Sequence, residues 1–414
     1  MADALIIDAV RTPRGVGKPG KGGLAHIHPQ RLGATVLQAI AERNDVETAT
    51  VDDVIWGCSN QAVTQSGDLG RMAALDAGFD VRASGVTLDR FCGSGITATS
   101  LAAGMLMSGL EDIVIAGGTD MMSTYAANRH PNAAPFVDSG NEHLRQLHPQ
   151  PHQGVCADVI ATLEGIPREA LDELGYESQQ RAARALAEGR FERSLVTVYN
   201  DDGSVALDHE EYPRPETTRE KLASLAPAFP ALYDLPLDGH GTSYRSLVEQ
   251  VYPGLAVNHV HHAGNSSGVV DGAAAILLAS AEAARANGWT PRARVVATAN
   301  VGDSPTLMLN APVPAARKVL AKAGLTLDDI DVFEVNEAFA VVVEKFIRDL
   351  GVDRAKINPN GGAIALGHPI GATGAMLIGT ALDELERIDG RYALITMCAA
   401  GGMAPAIVIE RLPG

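Results

Sequence analysis

Short apolar runs alternate along the chain with longer stretches of helical periodicity. Runs rich in Val, Ile, Leu and Ala fall at 4–10, 53–57, 85–88, 112–116, 293–301, 330–335, 393–397 and 405–410, and predict strands. Apolar residues recur at helical spacing over 30–43, 68–77, 95–108, 313–323, 337–350 and 371–384, and a polar helical pattern covers 168–188. Strands alternating with helices predict an α/β fold with a buried, parallel or mixed sheet.

The pattern also repeats. Thr50-Val51-Asp52-Asp53-Val54 returns as Thr326-Leu327-Asp328-Asp329-Ile330, 276 residues later. The same offset carries Asn60 onto Asn336 and Cys92 onto His368. Both of the latter lie in glycine-rich links that open a helix of small residues, and each helix is followed by an apolar strand. Two similar halves are predicted: residues 1–120, completed by about 263–285, and residues 286–414. Between them, 121–262 reads as an inserted loop domain, Pro-rich and holding nine of the twelve histidines.

Composition narrows the function. The 414 residues carry 33 basic and 50 acidic side chains, a net charge of −17, with no Lys- or Arg-rich stretch. Nucleic-acid binding has no electrostatic footprint here. An anionic ligand must be met by local cations and backbone N–H groups. The N-terminal Met1–Asp8 stretch lacks a basic n-region, which predicts no signal peptide. The longest charge-free runs are broken by Gly, Ser, Asn and Pro, which predicts protein core and no membrane span. Cys58, Cys92, Cys156 and Cys398 form no CxxC pair and read as reduced thiols of a cytoplasmic protein.

Three segments carry candidate chemistry. Cys92, in Arg90-Phe91-Cys92-Gly93-Ser94-Gly95, stands where a helix macrodipole and free N–H groups would favour thiolate; a nucleophile and a small buried thiol are both open readings. His368, among Gly and Ala, suits a base that takes the thiol proton. Cys398, in Cys398-Ala399-Ala400-Gly401-Gly402, follows a strand and reads as either a core thiol or an acid/base, with nearby N–H groups able to form an oxyanion hole. Asn336, in Asn336-Glu337-Ala338-Phe339, is placed to cap a helix. Gly17-Lys18-Pro19-Gly20-Lys21-Gly22-Gly23 lacks the full phosphate-loop pattern and reads as a flexible loop. His259-Val260-His261-His262 has no Cys or carboxylate beside it in sequence and reads as an ordinary loop, so no metal is expected.

In this order and spacing, these segments resemble the thiolase family over essentially the whole chain. Arg11-Thr12-Pro13, Ala263-Gly264-Asn265-Ser266-Ser267-Gly268 and Asp271-Gly272-Ala273-Ala274-Ala275 add to the likeness, and Gly361-Gly362-Ala363-Ile364-Ala365-Leu366-Gly367-His368-Pro369 is its strongest part. The resemblance implies duplicated βαβαβ-type halves layered α/β/α/β/α with an inserted loop domain. It implies an acyl-CoA:acetyl-CoA C-acyltransferase that cleaves 3-ketoacyl-CoA with CoA, or runs the reverse condensation, through an acyl-cysteine. Cys92 would be the nucleophile, His368 its activator and Cys398 the acid/base at the α-carbon. Asn336 would hold a water beside His368, and the N–H groups of Cys92 and Ala400 would bind the acyl oxygen. His152, Arg214, Ser267 and Met308 match positions along coenzyme A. The likeness further implies CoA as substrate, no tightly bound cofactor, and a homodimer or homotetramer.

The chain departs from the family pattern at Ala399-Ala400 after Cys398, at Asp89, at Leu309-Asn310-Ala311, in the segment 153–158, and by an expansion over 230–262. These changes bear on the substrate. An enzyme specific for acetoacetyl-CoA is the alternative reading. A decarboxylating ketoacyl synthase normally carries a second histidine where this chain has Cys398, and a silent acyl-CoA carrier has no need of all three of Cys92, His368 and Cys398.

Overall fold

The computed structural model describes residues 3–128 and 136–413; His130 and the first two residues of the N-terminal reading lie outside them. The described strands are β1 (Leu5–Arg11), β2 (Gly15–Val16), β3 (Asp53–Gly57), β4 (Val86–Leu88), β5 (Ile113–Met121), β6 (Val198–Tyr199), β7 (Val205–Leu207), β8 (Val270–Ala279), β9 (Ala293–Gly302), β10 (Val332–Val335), β11 (Tyr392–Thr396) and β12 (Met403–Arg411). Ten form one mixed sheet in the order β10-β11-β12-β9-β1-β8-β5-β3-β4, with β2 alongside β8, and β6 and β7 pair separately.

Side-chain alternation sets the layers. On β8, Ala274, Ile276 and Leu278 face one core, while Ala273, Ala275, Leu277 and Ala279 face another. With both faces covered, a strand needs no polar positions. The first of those cores is central. It joins apolar residues of β1, β3, β5 and β8 to those of β9–β12 through two helices, Ser94–Ser108 and Ile370–Ile388. Outside lie the helices Pro29–Arg43 and Leu69–Asp76 on one half-sheet. Pro312–Ala323 and Ala340–Leu350 cover the other. The result is the layered α/β/α/β/α arrangement, and the half-sheets join where Leu5 and Ile6 pair with Arg294 and Ala293.

The central helices meet through glycine. A Cβ on Gly374 would lie 2.2 Å from Ile96 N, and one on Gly95 would lie 2.7 Å from Ala375 N. Any larger residue pushes the helices apart. Phe91–Ser108 is apolar and long enough to cross a membrane by composition alone, but more than half of it is buried in this central layer.

The repeat is present, with a different register in its strands. Asp52 accepts the N–H groups of Asp112 and Ile113 at 2.8 and 3.0 Å, and Asp331 accepts those of Arg391 and Tyr392 at 2.6 and 3.1 Å. Asp53 pairs with Val114 as Val332 pairs with Ala393. These equivalents stand 279 residues apart (52 to 331, 53 to 332), whereas the helix starts Ser94 and Ile370 stand 276 apart. The strand-to-helix link is three residues longer in the first half. Cys92 and His368 therefore do correspond, each two residues before its helix. Asn336 corresponds to Gly57 and not to Asn60, whose side chain donates to Asp120 at 3.0 Å.

Two further readings are corrected. The strand β8 was hidden by its alanines, which pattern analysis does not count as strand formers. The helix expected from 337 starts at Ala340, with Phe339 extended at its N-cap position, so Asn336 does not cap it.

In the inserted segment, the helices Gln153–Leu163 and Tyr244–Val251 pack Val155, Val159, Tyr244, Leu247 and Val248 into a separate cluster with Phe136 and Tyr233. The expansion is thus folded onto the body through its helical apolar face.

Candidate active site

Cys92 lies in a tight turn. Phe91 before it has a left-handed backbone (φ 49°), unusual for a bulky residue. Asp89 steadies the turn by accepting Phe91 N–H at 2.6 Å, and Ser94 Oγ accepts Arg90 N–H at 2.9 Å while donating to Phe91 O at 2.6 Å. The expectation of a depressed thiol pKa is not met. Burial pushes Cys92 up to about 12, and the charges of Asp120 and Asp89 act in the same direction. Desolvation outweighs the helix dipole, so this thiol needs a base.

His368 supplies a ring nitrogen of the right kind. The His368 backbone N–H is fixed by Gly268 O at 2.9 Å. Its Nδ1 lies 2.7 Å from Thr373 Oγ1, and that hydroxyl donates onward to Pro369 O at 3.0 Å. Thr373 therefore accepts from Nδ1–H, and Nε2 carries the lone pair. Burial first, and then the Arg14 charge, lowers the ring's pKa to about 3, so the imidazole is neutral at physiological pH.

Asn336 stands at the end of β10, its N–H bonded to Thr396 O at 3.1 Å, and its Nδ2 is 3.4 Å from His368 Nε2. Its Oδ1 is buried without a protein partner. Cys398 lies two residues past the end of the neighbouring strand β11 and is buried. Burial holds its thiol well above the usual range, and the next contribution is the charge of Cys92, which puts the two sulfurs within electrostatic reach. Ala400 sits in the turn closed by the Ala399–Met403 pair, which joins β11 to β12. Four of the five expected catalytic positions thus lie at the ends of β10 and β11 and just before a central helix, and Cys92 lies just before the other central helix.

The expected coenzyme positions are more spread. His152 caps the helix Gln153–Leu163, its Nδ1 accepting Gly154 N–H at 3.1 Å, and its ring lies 5.7 Å from Phe229. Phe229 in turn meets Phe339 at 6.1 Å, which ties His152 to the Asn336 segment. Ser267 N–H is bonded to Ala338 O at 3.0 Å on that same segment. Met308, with a left-handed backbone (φ 56°), is buried with Leu309 and Ala311 in the core that holds Cys398 and Phe339. Asn310 is turned to Asp303 at 3.0 Å. Arg214 lies farther out, over the Tyr212 ring at 5.1 Å.

Several supporting residues were not picked out from sequence. Glu337 accepts Ser178 Oγ at 2.6 Å, Ile364 N–H at 3.1 Å and Asn358 Nδ2 at 3.0 Å, locking the glycine-rich segment before His368 to the Asn336 strand. Asp120 accepts Gly371 N–H at 2.6 Å and Ser59 N–H at 2.9 Å, tying the His368 helix to the first half. Their signal was a lone carboxylate inside apolar sequence. The glycine loop and the histidine run find partners within the fold. Val16 and Gly23 N–H groups hold the Glu211 carboxylate at 2.6 and 3.1 Å, so the glycine loop wraps an anion of this chain. His259 and His261 bond to Asp158, both at 2.7 Å, and His262 to Asp172 at 2.8 Å. The carboxylates absent from the local sequence arrive through the fold, and no metal-holding group of three or more His, Cys, Asp or Glu occurs among the described residues.

Comparison with known proteins agrees with this arrangement. Residues 4–232 match the thiolase N-terminal domain and residues 289–411 the thiolase C-terminal domain. A steroid 3-ketoacyl-CoA thiolase of Mycobacterium tuberculosis is 41% identical, covering 100% of this chain and 95% of its own. A beta-ketoadipyl-CoA thiolase of Acinetobacter baylyi is 40% identical, covering 100% of both. The crystal structure of the Bacillus anthracis acetyl-CoA acetyltransferase superposes with a TM-score of 0.83 at 33% identity, over 100% of this chain and 99% of that one. The chain belongs to the thiolase family and is an acyltransferase that uses coenzyme A as substrate.

Proposed function

We propose that this thiolase cleaves 3-ketoacyl-CoA substrates larger than acetoacetyl-CoA, with Cys92, His368, Cys398, Asn336 and Ala400 as its machinery. The observation that carries the assignment is a buried neutral His368 whose Nε2 holds the lone pair, beside Asn336 Nδ2 at 3.4 Å, in a protein whose buried Cys92 keeps its proton and needs a base. Cys92 Sγ gives its proton to His368 and attacks the 3-keto carbon. The C2–C3 bond then breaks, and Cys398 protonates the acetyl-CoA enolate carbon. The Cys398 thiolate next takes the proton of incoming CoA, whose sulfur attacks the acyl-cysteine, and Cys92 leaves and recovers its proton from His368. Each proton and electron pair is returned. Backbone N–H groups of Cys92 and Ala400 face the acyl oxygen, and Asn336 with His368 faces the enolate-side oxygen.

His152, Ser267 and Met308 are assigned to the pantetheine side and Arg214 to the adenine side. The larger substrate is supported by the folded 230–262 expansion beside His152 and by relatives named for steroid and ketoadipyl substrates. The neighbour named acetyl-CoA acetyltransferase favours acetoacetyl-CoA as the second reading. Comparing kcat/KM on acetoacetyl-CoA with that on six- to ten-carbon substrates decides. Each methylene buried adds up to about 0.8 kcal/mol, roughly fourfold. A preference for acetoacetyl-CoA contradicts the proposal.

The division into 1–120 with 263–285, 121–262 and 286–414 is part of the same reading, supported by the strand order repeated in the two halves. So are a cytoplasmic location, supported by four free cysteines, and assembly into a homodimer or homotetramer. Assembly is supported by the unpaired edge of β4, where Val86 is 43% exposed, and by Leu101 on the Cys92 helix, 47% exposed.

A further inference from the structure

The helix Arg168–Ala187 belongs to the inserted segment, yet its buried face packs on the catalytic half. Most of that face is apolar or small: Leu171, Leu174, Gly175, Ala182 and Ala185. Ala182 and Ala185 meet Ala365 and Leu366, just before His368. Gly361, with a left-handed backbone (φ 78°), comes so close that a Cβ there would lie 2.6 Å from Ser178 O. Three buried polar side chains interrupt the face, and each bonds a segment of the site. Asp172 Oδ1 accepts from Asn265 Nδ2 at 2.9 Å, two residues before Ser267. Ser178 Oγ donates to Glu337 at 2.6 Å and accepts Gly362 N–H at 3.1 Å. Gln179, 6% exposed, reaches two ways: Oε1 accepts Arg214 N–H at 2.8 Å, and Nε2 donates to Ile364 O at 3.4 Å. One partner is a backbone N–H and the other a carbonyl, so the amide has a single orientation that satisfies both.

Gln179 thus stands between the segment around Arg214 and the glycine-rich loop that ends at His368. On the loop side, Ile364 N–H is held by Glu337 at 3.1 Å. On the other side, the segment around Arg214 is fastened to the same helix. Gln180 Nε2 donates to Pro215 O at 3.3 Å, and Arg219 forks onto Glu173 with both bonds at 2.5 Å. Tyr212, whose ring lies under the Arg214 guanidinium, presses on Gly268 so tightly that a Cβ there would overlap the ring. Gly268 O in turn accepts the backbone N–H of His368.

We propose that Gln179 is a positioning residue that couples the nucleotide end of coenzyme A to the His368 loop. A nucleotide held at Arg214 fixes that segment, and Gln179 passes the restraint to Ile364, four residues before the imidazole. Binding energy from a part of the substrate that does not react is thereby used at the reacting centre. This rests on Arg214 lying on the adenine side.

The test compares a six-carbon 3-ketoacyl-CoA with the same acyl group on pantetheine, which lacks the nucleotide, in single-turnover release of the acetyl thioester. Gln179→Met keeps the volume and removes both bonds. Its saturating rate constant on the CoA thioester should fall about tenfold, while that on the pantetheine thioester matches the unsubstituted enzyme. An equal fall on both substrates makes Gln179 a local brace, and no fall on either makes it packing; each overturns the proposal. Should Gln179→Met not fold, Gln179→Glu, which keeps the bond to Arg214 and loses the one to Ile364, carries the test with the same outcomes. Arg214→Gln separates the two levels. It should raise the half-saturating concentration of the CoA thioester; if that is unchanged, the adenine-side reading of Arg214 fails and the coupling with it. If it rises while Gln179→Met falls equally on both substrates, only the coupling fails.

Discussion

Thr373 decides which nitrogen of His368 can take a proton. Because its hydroxyl donates to Pro369 O, it can only accept from Nδ1–H, which leaves Nε2 basic. Thr373→Val should therefore lower kcat of thiolysis roughly 10- to 100-fold with little change in KM, less than the 10²–10⁴-fold of losing a general base outright. An unchanged kcat would remove the tautomer argument. The same ring has a pH signature in stability. Its pKa falls from 6.5 in the unfolded chain to about 3 in the fold. Between those values the unfolded chain binds the extra proton, so the contribution is present above pH 6.5 and is lost as pH falls. Thermal melts should show a shallower decline of Tm from pH 7 to pH 5 in His368→Gln than in the unsubstituted protein. Cys398→Ala should still form the acyl adduct on Cys92 but stop exchanging the α-protons of acetyl-CoA with deuterated solvent; normal exchange would reduce Cys398 to packing. At this scale the sequence named Cys92, His368 and Cys398 but misjudged the thiol. Its pKa depends on burial, a property of the assembled layers that a helix start cannot reveal.

Between the two sheets, the register of two helices sets the site. Ser94–Ser108 and Ile370–Ile388 cross where Gly95 and Gly374 bring backbone against backbone, and each carries its chemistry two residues before its first turn. Gly374→Val overpacks that crossing and should cost about 1–3 kcal/mol, with loss of thiolysis beyond the loss of folded protein. Chemical denaturation alongside activity per folded molecule measures both; a variant as stable and active as the parent contradicts the crossing argument. These helices were legible because small residues ran at helical spacing. β8 was not, since alanine is a poor strand former and only burial on both faces makes such a strand stable. Asn336 misled for a related reason. Asn before an apolar run reads as a cap, yet the chain stays extended through Phe339 and the amide serves His368 instead.

Taken whole, the molecule is two copies of one strand order closed around a shared helical layer, with the inserted segment laid over one end. The duplication was visible at a single offset, and the true strand offset differs by three residues. A link-length difference does not show in a short matched motif. Glu337, Asp120 and Gln179 escaped notice because their partners lie far away in sequence, from Ser178 to Gly371 and Ile364. In the proposed assembly the exposed Leu101 and the β4 edge are covered. Light scattering after size-exclusion chromatography should give a dimer or tetramer, and Leu101→Asp should shift it toward monomer. A monomeric parent protein would contradict that use of the face.

The central claim is that Cys92 carries the acyl group, and peptide mass spectrometry tests it most directly. After brief incubation with a 3-ketoacyl-CoA and acid quench, the account predicts the acyl mass on the peptide containing Cys92, absent in Cys92→Ala and greatly reduced in His368→Ala. An acyl group on Cys58, Cys156 or Cys398, or one that persists in Cys92→Ala, would contradict it.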